Sequence, residues 1–490
     1  MAVERLTGPA RQRFVASKRR IKVTRRLGVP LPRVPRLRIE RPARSALRWR
    51  AKVLAWFITV MTLLYTAQEA VFPEEGRTPV TWIEWMFYVF VALWILPLLT
   101  SGLGLAGMLW HKPRDTGDAG WVNVFVCWRV VSPGTNPEAL FATIESIRVQ
   151  MLRSPLFPYI IEVVTDLPVP LPEMDDVSHL LVPEDYETPN KSLFEARALN
   201  YAIQNSPLPD DAWIVHLDEE THPTRSGVEG VAMMIREEEE GGRHRKGSDR
   251  HRIGQGCILY NRDWKTHPFL TLADTMRTGD DMGRFYLQYR LGRTLFGMHG
   301  SYIVVRNSVA KAMGFDLGPR GSLTQDAFWA LVQMSTGRRP RWCDGYMEKQ
   351  SARSLADFIK QRRRWFVGLL LVARYAPVPL KYRLAVGSAT LIWTLSPLGL
   401  VFTVSQVFMG IDVHAVTRAL ANTAYASFII LYFIGLGLNL DGHGVVNFFN
   451  RLRWYVLTAL CLPLFALIEG AGVVYGILRP DKSVRDVLKK

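Results

Sequence analysis

Cysteine is scarce in this chain. Its 490 residues include four, at Cys127, Cys257, Cys343 and Cys461, and no two form a CxxC pair. That spacing excludes a disulfide framework and a cysteine-based zinc site, and it is compatible with a reducing compartment. Acidic residues are nearly missing from the amino end. Of 61 Lys+Arg and 44 Asp+Glu, the first 52 residues hold 17 and 2, leaving 44 and 42 for the rest. The formal net charge of +17 therefore belongs to a tail and does not describe the molecule as a whole. No small-residue cleavage site follows the first apolar run, which with the length of the basic arm excludes a signal peptide. Charge is wholly absent from Trp85 to Trp110 and almost absent from Val53 to Phe72.

Each of those two stretches is long enough for a hydrocarbon core, which takes about 20 helical residues. Three later ones, Leu384 to Ile411, Ala419 to Leu440 and Trp454 to Leu478, are similar. The basic tail runs straight into the first of them, as in SKRRIKVTRR and RVPRLRIERPARSALRWR. Lys and Arg beside a span mark the cytoplasmic side and attract anionic lipid, which fits this placement better than nucleic-acid binding. The expected organisation is a basic cytoplasmic tail (1–52), two spans (53–110), a polar cytosolic block (111–376), further spans (377–480) and a short basic end (481–490). Five crossings would leave the two basic ends on opposite sides, so either one late apolar segment is re-entrant or interfacial or the number of crossings is not five.

The polar block alternates. VNVFVCWRV, YIIEVVTD and WIVHLDEET read as strands; PEALFATIESIRVQML and SLFEARALNYAIQN between them read as helices. That order predicts an α/β domain with a mostly parallel sheet. Ligands in such sheets bind at the carboxyl ends of strands, where Asp166 and Asp218 fall.

Three features carry chemistry. In HLDEET, Asp218 and Glu220 are two apart, so strand alternation would turn both toward one hard cation such as Mg²⁺ or Mn²⁺, with Glu219 facing away and tolerant of change. A solvated turn is the plainer alternative. In SLTQDAFWALVQM, Asp326 opens a helix, with Ser322 or Thr324 as its cap. The helix dipole alone would favour an acid there, and a general base taking a proton from a hydroxyl is the other reading. In DFIKQRRRWFVGLLL, the apolar pattern fits an amphipathic helix at a membrane surface. The arginines would serve there as an ordinary anchor, or Gln361, Arg364 and Trp365 would serve phosphate pairing and sugar stacking.

Taken in order, an Asp after the second strand, a Lys-to-Asn helix (KSLFEARALN), D-x-E, an Asp before a helix and Q-x-x-R-W resemble the membrane-embedded members of glycosyltransferase family 2, the group of the cellulose and hyaluronan synthases. IEVVTD, HLDEET, RTGDDMGRF, FGMHGSYIVVR, GYMEK and QRRRWFVGLLL look most like the egghead-type β-1,4-mannosyltransferases. The resemblance covers about 121–376 well and the late apolar segments loosely. It implies a GT-A nucleotide-sugar-binding domain tied to membrane helices on both sides. It also implies Asp166 and Lys191 near the nucleotide, Asp218 and Glu220 holding Mg²⁺ or Mn²⁺ on the diphosphate, and Asp326 as catalytic base. Gln361 and Arg364 would close over the pyrophosphate, and Trp365 over the acceptor sugar. The implied reaction is inverting transfer from a nucleotide sugar, GDP-mannose first, to a membrane glycolipid or glycan. The alternatives are a processive β-glycan synthase using UDP-glucose or GDP-mannose, and a non-catalytic membrane scaffold. One departure stands out: Gln325 occupies a place where the family usually carries Glu. Asp280 and Asp281 receive no role.

Overall fold

The structure is a computed structural model, and it describes residues 42–71, 79–242, 251–262, 267–395 and 414–480. The basic tail expected to meet anionic lipid lies mostly outside the described residues, as do the last ten residues.

Eight strands form one mixed sheet: β1 (Val126–Ser132), β2 (Tyr159–Thr165), β3 (Val177–Leu181), β4 (Trp213–Asp218), β5 (Thr221–Pro223), β6 (Ile253–Tyr260), β7 (Ile303–Arg306) and β8 (Pro340–Lys349), in the order β3-β2-β1-β4-β7-β6-β8-β5. The first half is parallel, with β1 between β2 and β4. The pattern changes at β7, which runs antiparallel to both β4 and β6. Strands β1 and β2 are buried at every position, which is why they read as mostly apolar runs rather than as alternation; the charged exceptions, Arg129 and Glu162, pair with each other at 2.5 Å. Two apolar clusters flank them: Trp128, Ile161, Val215 and Ile235 belong to one, and Cys127, Val164, Leu199 and Trp329 to the other.

The helices follow from local signals. Three precede the sheet: α1 (Pro42–Val71), α2 (Trp82–Leu93) and α3 (Leu98–Trp110). Helix α4 (Pro137–Arg153) starts with Asn136, whose side chain accepts from the Ala139 N–H, and with Pro137 at the first helical position, both favoured there. After it come α5 (Phe194–Asn205), α6 (Arg225–Gly242), α7 (Pro268–Asp280) and α8 (Gln325–Ser335). Helix α9 (Leu355–Tyr375) holds the QRRRW stretch and is capped by Ser354, which accepts from Asp357 N at 3.1 Å. The carboxyl-terminal helices are α10 (Leu380–Thr394), α11 (Ala415–Gly442) and α12 (Phe448–Leu478).

Among the described residues, three helices are long and apolar enough to cross a membrane: Ser45–Ala70, Ala415–Gly442 and Phe448–Leu478. Leu54, Ile58 and Leu63 on the first, and Leu460, Leu464 and Leu467 on the last, point outward. The uninterrupted crossing expected from Trp85 to Trp110 is not formed. The chain turns at residues 94–97, and α2 and α3, of 12 and 13 residues, are each too short to span. Pro97, which cannot continue the α2 hydrogen-bond ladder, sits at this break. Of the segment expected from Leu384 to Ile411, α10 forms the start and residues 396–413 lie outside the described residues.

Helix α11 packs directly on the polar domain. A methyl group on Gly435 would collide with the Thr275 carbonyl, and one on Gly279 with the Leu431 carbonyl; on α3, one on Gly107 would collide with the Gly283 carbonyl. Only the missing side chains let these backbones approach so closely.

Candidate functional site

One cavity of about 910 Å³ gathers nearly all the candidate residues: Asp166, Asp218, Glu220, Asp326, Gln361, Arg364 and Trp365. It opens at the carboxyl ends of β2 and β4 and continues between the apolar helices, past Ser101 of α3, Phe428 of α11 and Leu462 of α12.

Strand β4 ends at Asp218, and Glu219–Glu220 form the turn into β5. Strand alternation therefore stops one residue too early to sort the three acids onto two faces. All three line the cavity. Glu219 does not face away into solvent: Ser132, at the end of β1, donates to its carboxylate, and burial raises its pKa. Asp218 and Glu220 share Lys349, whose Nζ pairs with Asp218 Oδ2 and lies 3.5 Å from Glu220 Oε1.

Asp326 stands in the first turn of α8, as expected, although Thr324 caps that helix without a side-chain hydrogen bond. Asp326 Oδ1 accepts from the Ala327 N–H at 2.8 Å. Burial pushes this carboxyl up to about 6, reinforced by the Asp218 charge and opposed by that N–H, Arg364 and Lys349. Gly300 shows how closely the groups converge. A methyl group there would lie 3.6 Å from Asp218 Oδ1, 3.7 Å from Asp326 Oδ2 and 3.8 Å from the Gln325 amide nitrogen. The space above Gly300 is where a reacting atom can meet both acids.

Helix α9 closes the cavity from the side of the apolar helices. Gly368 lets it press on Thr324, immediately before the Gln325–Asp326 turn. Arg364 is exposed into the cavity and has no hydrogen bond or ion pair among the described residues, so its guanidinium is available to an anion. Gln361 accepts from Arg362 at 2.8 Å. Trp365 lines the cavity, but the Arg277 and Arg362 guanidinium groups lie 4.3 and 4.7 Å from its ring centroid. Part of its π surface thus meets cations of the chain itself.

Lys191 is not brought to the site. It is exposed, with φ of 59°, and Phe194 follows at 51°. These two left-handed residues delay the helix start, so the side chains that reach the cavity from this segment are those of Phe194 and Glu195. Asp166 does line it, held by Arg197 of α5 at 2.9 Å.

Glu195 is the residue that sequence reasoning missed. Gln325 Nε2 donates to Glu195 Oε2 at 2.5 Å. Burial, with Asp218 and Asp326 nearby, pushes the Glu195 carboxyl up to about 8, which favours its protonated form near neutral pH. The signal available was the departure at Gln325, an amide that needs a partner. Because a protonated Glu and a Gln are near isosteres, Glu195→Gln is expected to keep most of the turnover at pH 7. Glu195→Ala, which leaves the Gln325 amide unpaired, is expected to lose about tenfold or more. Equal losses in the two variants would show that the charge, not the hydrogen bond, matters.

Asp280 and Asp281 also gain places. Asp280 pairs with Arg284, whereas Asp281 accepts from the Ile258 N–H at 3.0 Å and meets His299 Nε2 at 3.0 Å. They fix a wide helical turn, Asp281–Phe285, against β6.

The mixed α/β sheet, with acids at its strand ends facing one cavity, is a GT-A-like fold. A family profile described as "Glycosyl transferase family group 2" matches residues 213–440. The chain is 31% identical over 365 residues to the β-1,4-mannosyltransferase egh of Drosophila melanogaster, covering 72% of this chain and 76% of that protein. It is 30% identical over 449 residues to the β-1,4-mannosyltransferase bre-3 of Caenorhabditis elegans, covering 87% and 94%. Among solved structures, the mannosyltransferase PcManGT of Pyrobaculum calidifontis, in complex with GDP-Man and Mn²⁺, aligns over 80% of this chain and 99% of its own, with a TM-score of 0.41 and 12% identity. The chain belongs to glycosyltransferase family 2.

Proposed function

We propose that this glycosyltransferase moves mannose from GDP-mannose, with inversion and in β-1,4 linkage, onto a membrane glycolipid at the cytosolic face. The observation that carries the acceptor reading is the cavity itself. Its polar end holds Asp218, Glu220, Asp326 and Arg364, and its far end runs between α3, α11 and α12. A sugar on a lipid anchor would reach the base from the bilayer side while a nucleotide sugar entered from water. The assignment of mannose and of the β-1,4 linkage rests on the named activity of the relatives, and GDP-mannose is proposed as the donor on the egghead-type resemblance.

Among the described residues, no group of three or more His, Cys, Asp or Glu is placed to hold a metal ion unaided. Two carboxylates suffice for Mg²⁺ or Mn²⁺ when substrate phosphates complete the shell, and Asp218 with Glu220 fit that pattern. Bound there, the ion would offset the charge that develops on the leaving diphosphate. The chain's own residues do the rest. An acceptor hydroxyl gives its proton to Asp326, and its oxygen bonds to the anomeric carbon. The bond from that carbon to the diphosphate breaks, with the electron pair leaving on the diphosphate. Arg364 pairs with those oxygens, where the negative charge grows.

A donor panel with Mn²⁺ and extracted glycolipids tests this reading. GDP-mannose should add one sugar, and EDTA should stop the reaction. A ladder of products would favour a processive synthase; binding with no turnover on any donor would favour a scaffold.

A further inference from the structure

Lys349 is the last residue of β8, and its backbone is pinned on both sides: it pairs with Thr221 of β5 and with Tyr260 of β6. Its side chain is only 12% exposed, lines the cavity and reaches both Asp218 and Glu220. The carboxylates that suit a divalent ion are thus already engaged by a cation belonging to the chain. An ammonium has three donors and a flexible four-carbon stem, so Nζ can change partners while the backbone stays fixed.

We propose that Lys349 is a resident counter-ion of the donor site: it balances Asp218 and Glu220 in the free enzyme and exchanges them for a diphosphate oxygen when donor and divalent ion bind. This rests on the donor site proposed above. It makes Lys349 a competitor of the metal and a ligand of the nucleotide at once, so its removal should move two affinities in opposite directions. A role in folding alone would move them together or not at all.

The test uses the full chain in lipid nanodiscs, with Lys349→Met and the polar, neutral Lys349→Gln. Mn²⁺ binding without nucleotide is followed by electron paramagnetic resonance, and GDP and UDP binding at saturating Mn²⁺ by calorimetry. Both variants are expected to bind Mn²⁺ about tenfold more tightly and the nucleoside diphosphate about tenfold more weakly than wild type. If only the Gln variant folds, it carries the test alone. Weakening of both affinities, or no change in either, in a folded variant overturns the proposal while leaving the donor site standing. A wild-type protein that binds neither Mn²⁺ nor either nucleotide overturns the donor site too.

Discussion

Asp326→Asn is expected to lower turnover by about two to four orders of magnitude, the usual contribution of a positioned general base. Nucleoside diphosphate binding should survive, because in the proposed mechanism Asp326 takes the acceptor proton and does not hold the phosphates. The pH profile of the wild type should carry the same signature. The base works only as a carboxylate, and burial holds its pKa at about 6. The rate should therefore fall tenfold per pH unit below about 6 and level off above it. A third consequence concerns stability. The carboxyl titrates at about 6 in the fold, against 3.8 as its ordinary value. Below pH 3.8 it is protonated in both states and costs nothing. Between the two values the folded state pays increasingly, and above about 6 it bears the full penalty. The Asn variant escapes that penalty, so at pH 7 it should be more stable by on the order of 1–3 kcal/mol. Steady-state rates from pH 5 to 8 and thermal unfolding check all three. Full activity of Asp326→Asn at pH 7 would remove Asp326 from the mechanism.

Arg362→Met should have the largest effect on stability. Arg362 on α9 donates to Asp274 on α7 at 2.6 Å and to Glu469 on α12 at 2.7 Å, and the three side chains are 1%, 1% and 9% exposed. Its guanidinium also lies 3.7 Å from the Phe358 ring centroid. Removing the cation leaves the buried Glu469 without its partner and Asp274 with only the 3.9 Å approach of Arg277, at a cost of about 3–5 kcal/mol. The variant should unfold at a distinctly lower temperature in detergent. Adding Asp274→Asn and Glu469→Gln to it should restore much of the loss, since neutral amides do not repel. Unfolding identical to wild type would mean that the triad is not a structural tie.

The sequence of alternating elements made the α/β core legible, because β1, β2 and β4 are mostly apolar and the helix after β1 carries a clear start signal in Asn136 and Pro137. The acids at the strand ends were legible for the same reason. What escaped depends on contacts distant in the chain or on backbone geometry. Glu195 was invisible because its partner, Gln325, lies 130 residues away. Lys191 lies outside the cavity, in a segment where it and Phe194 adopt left-handed φ, which no composition rule announces. Glu219 was misjudged because β4 ends one residue before period two could apply to it. The approach of Arg277 on α7 to the Trp365 ring is likewise something the linear order does not reveal. The break at residues 94–97 could have been read from Pro97, but an uncharged run of that length argues for continuity.

The glycine contacts among α3, α7 and α11 have a practical meaning. Many membrane-anchored enzymes hang from a linker and can be clipped free as soluble bodies. Here the helix carrying Arg277 and Asp274 is meshed, backbone against backbone, with a helix that has the length to cross the bilayer. Among the described residues, no linker holds that helix apart from the catalytic domain. Cutting away the carboxyl-terminal helices would strip one wall from the catalytic cavity itself, and a thinner or thicker lipid bilayer would tug on the floor beneath its substrates.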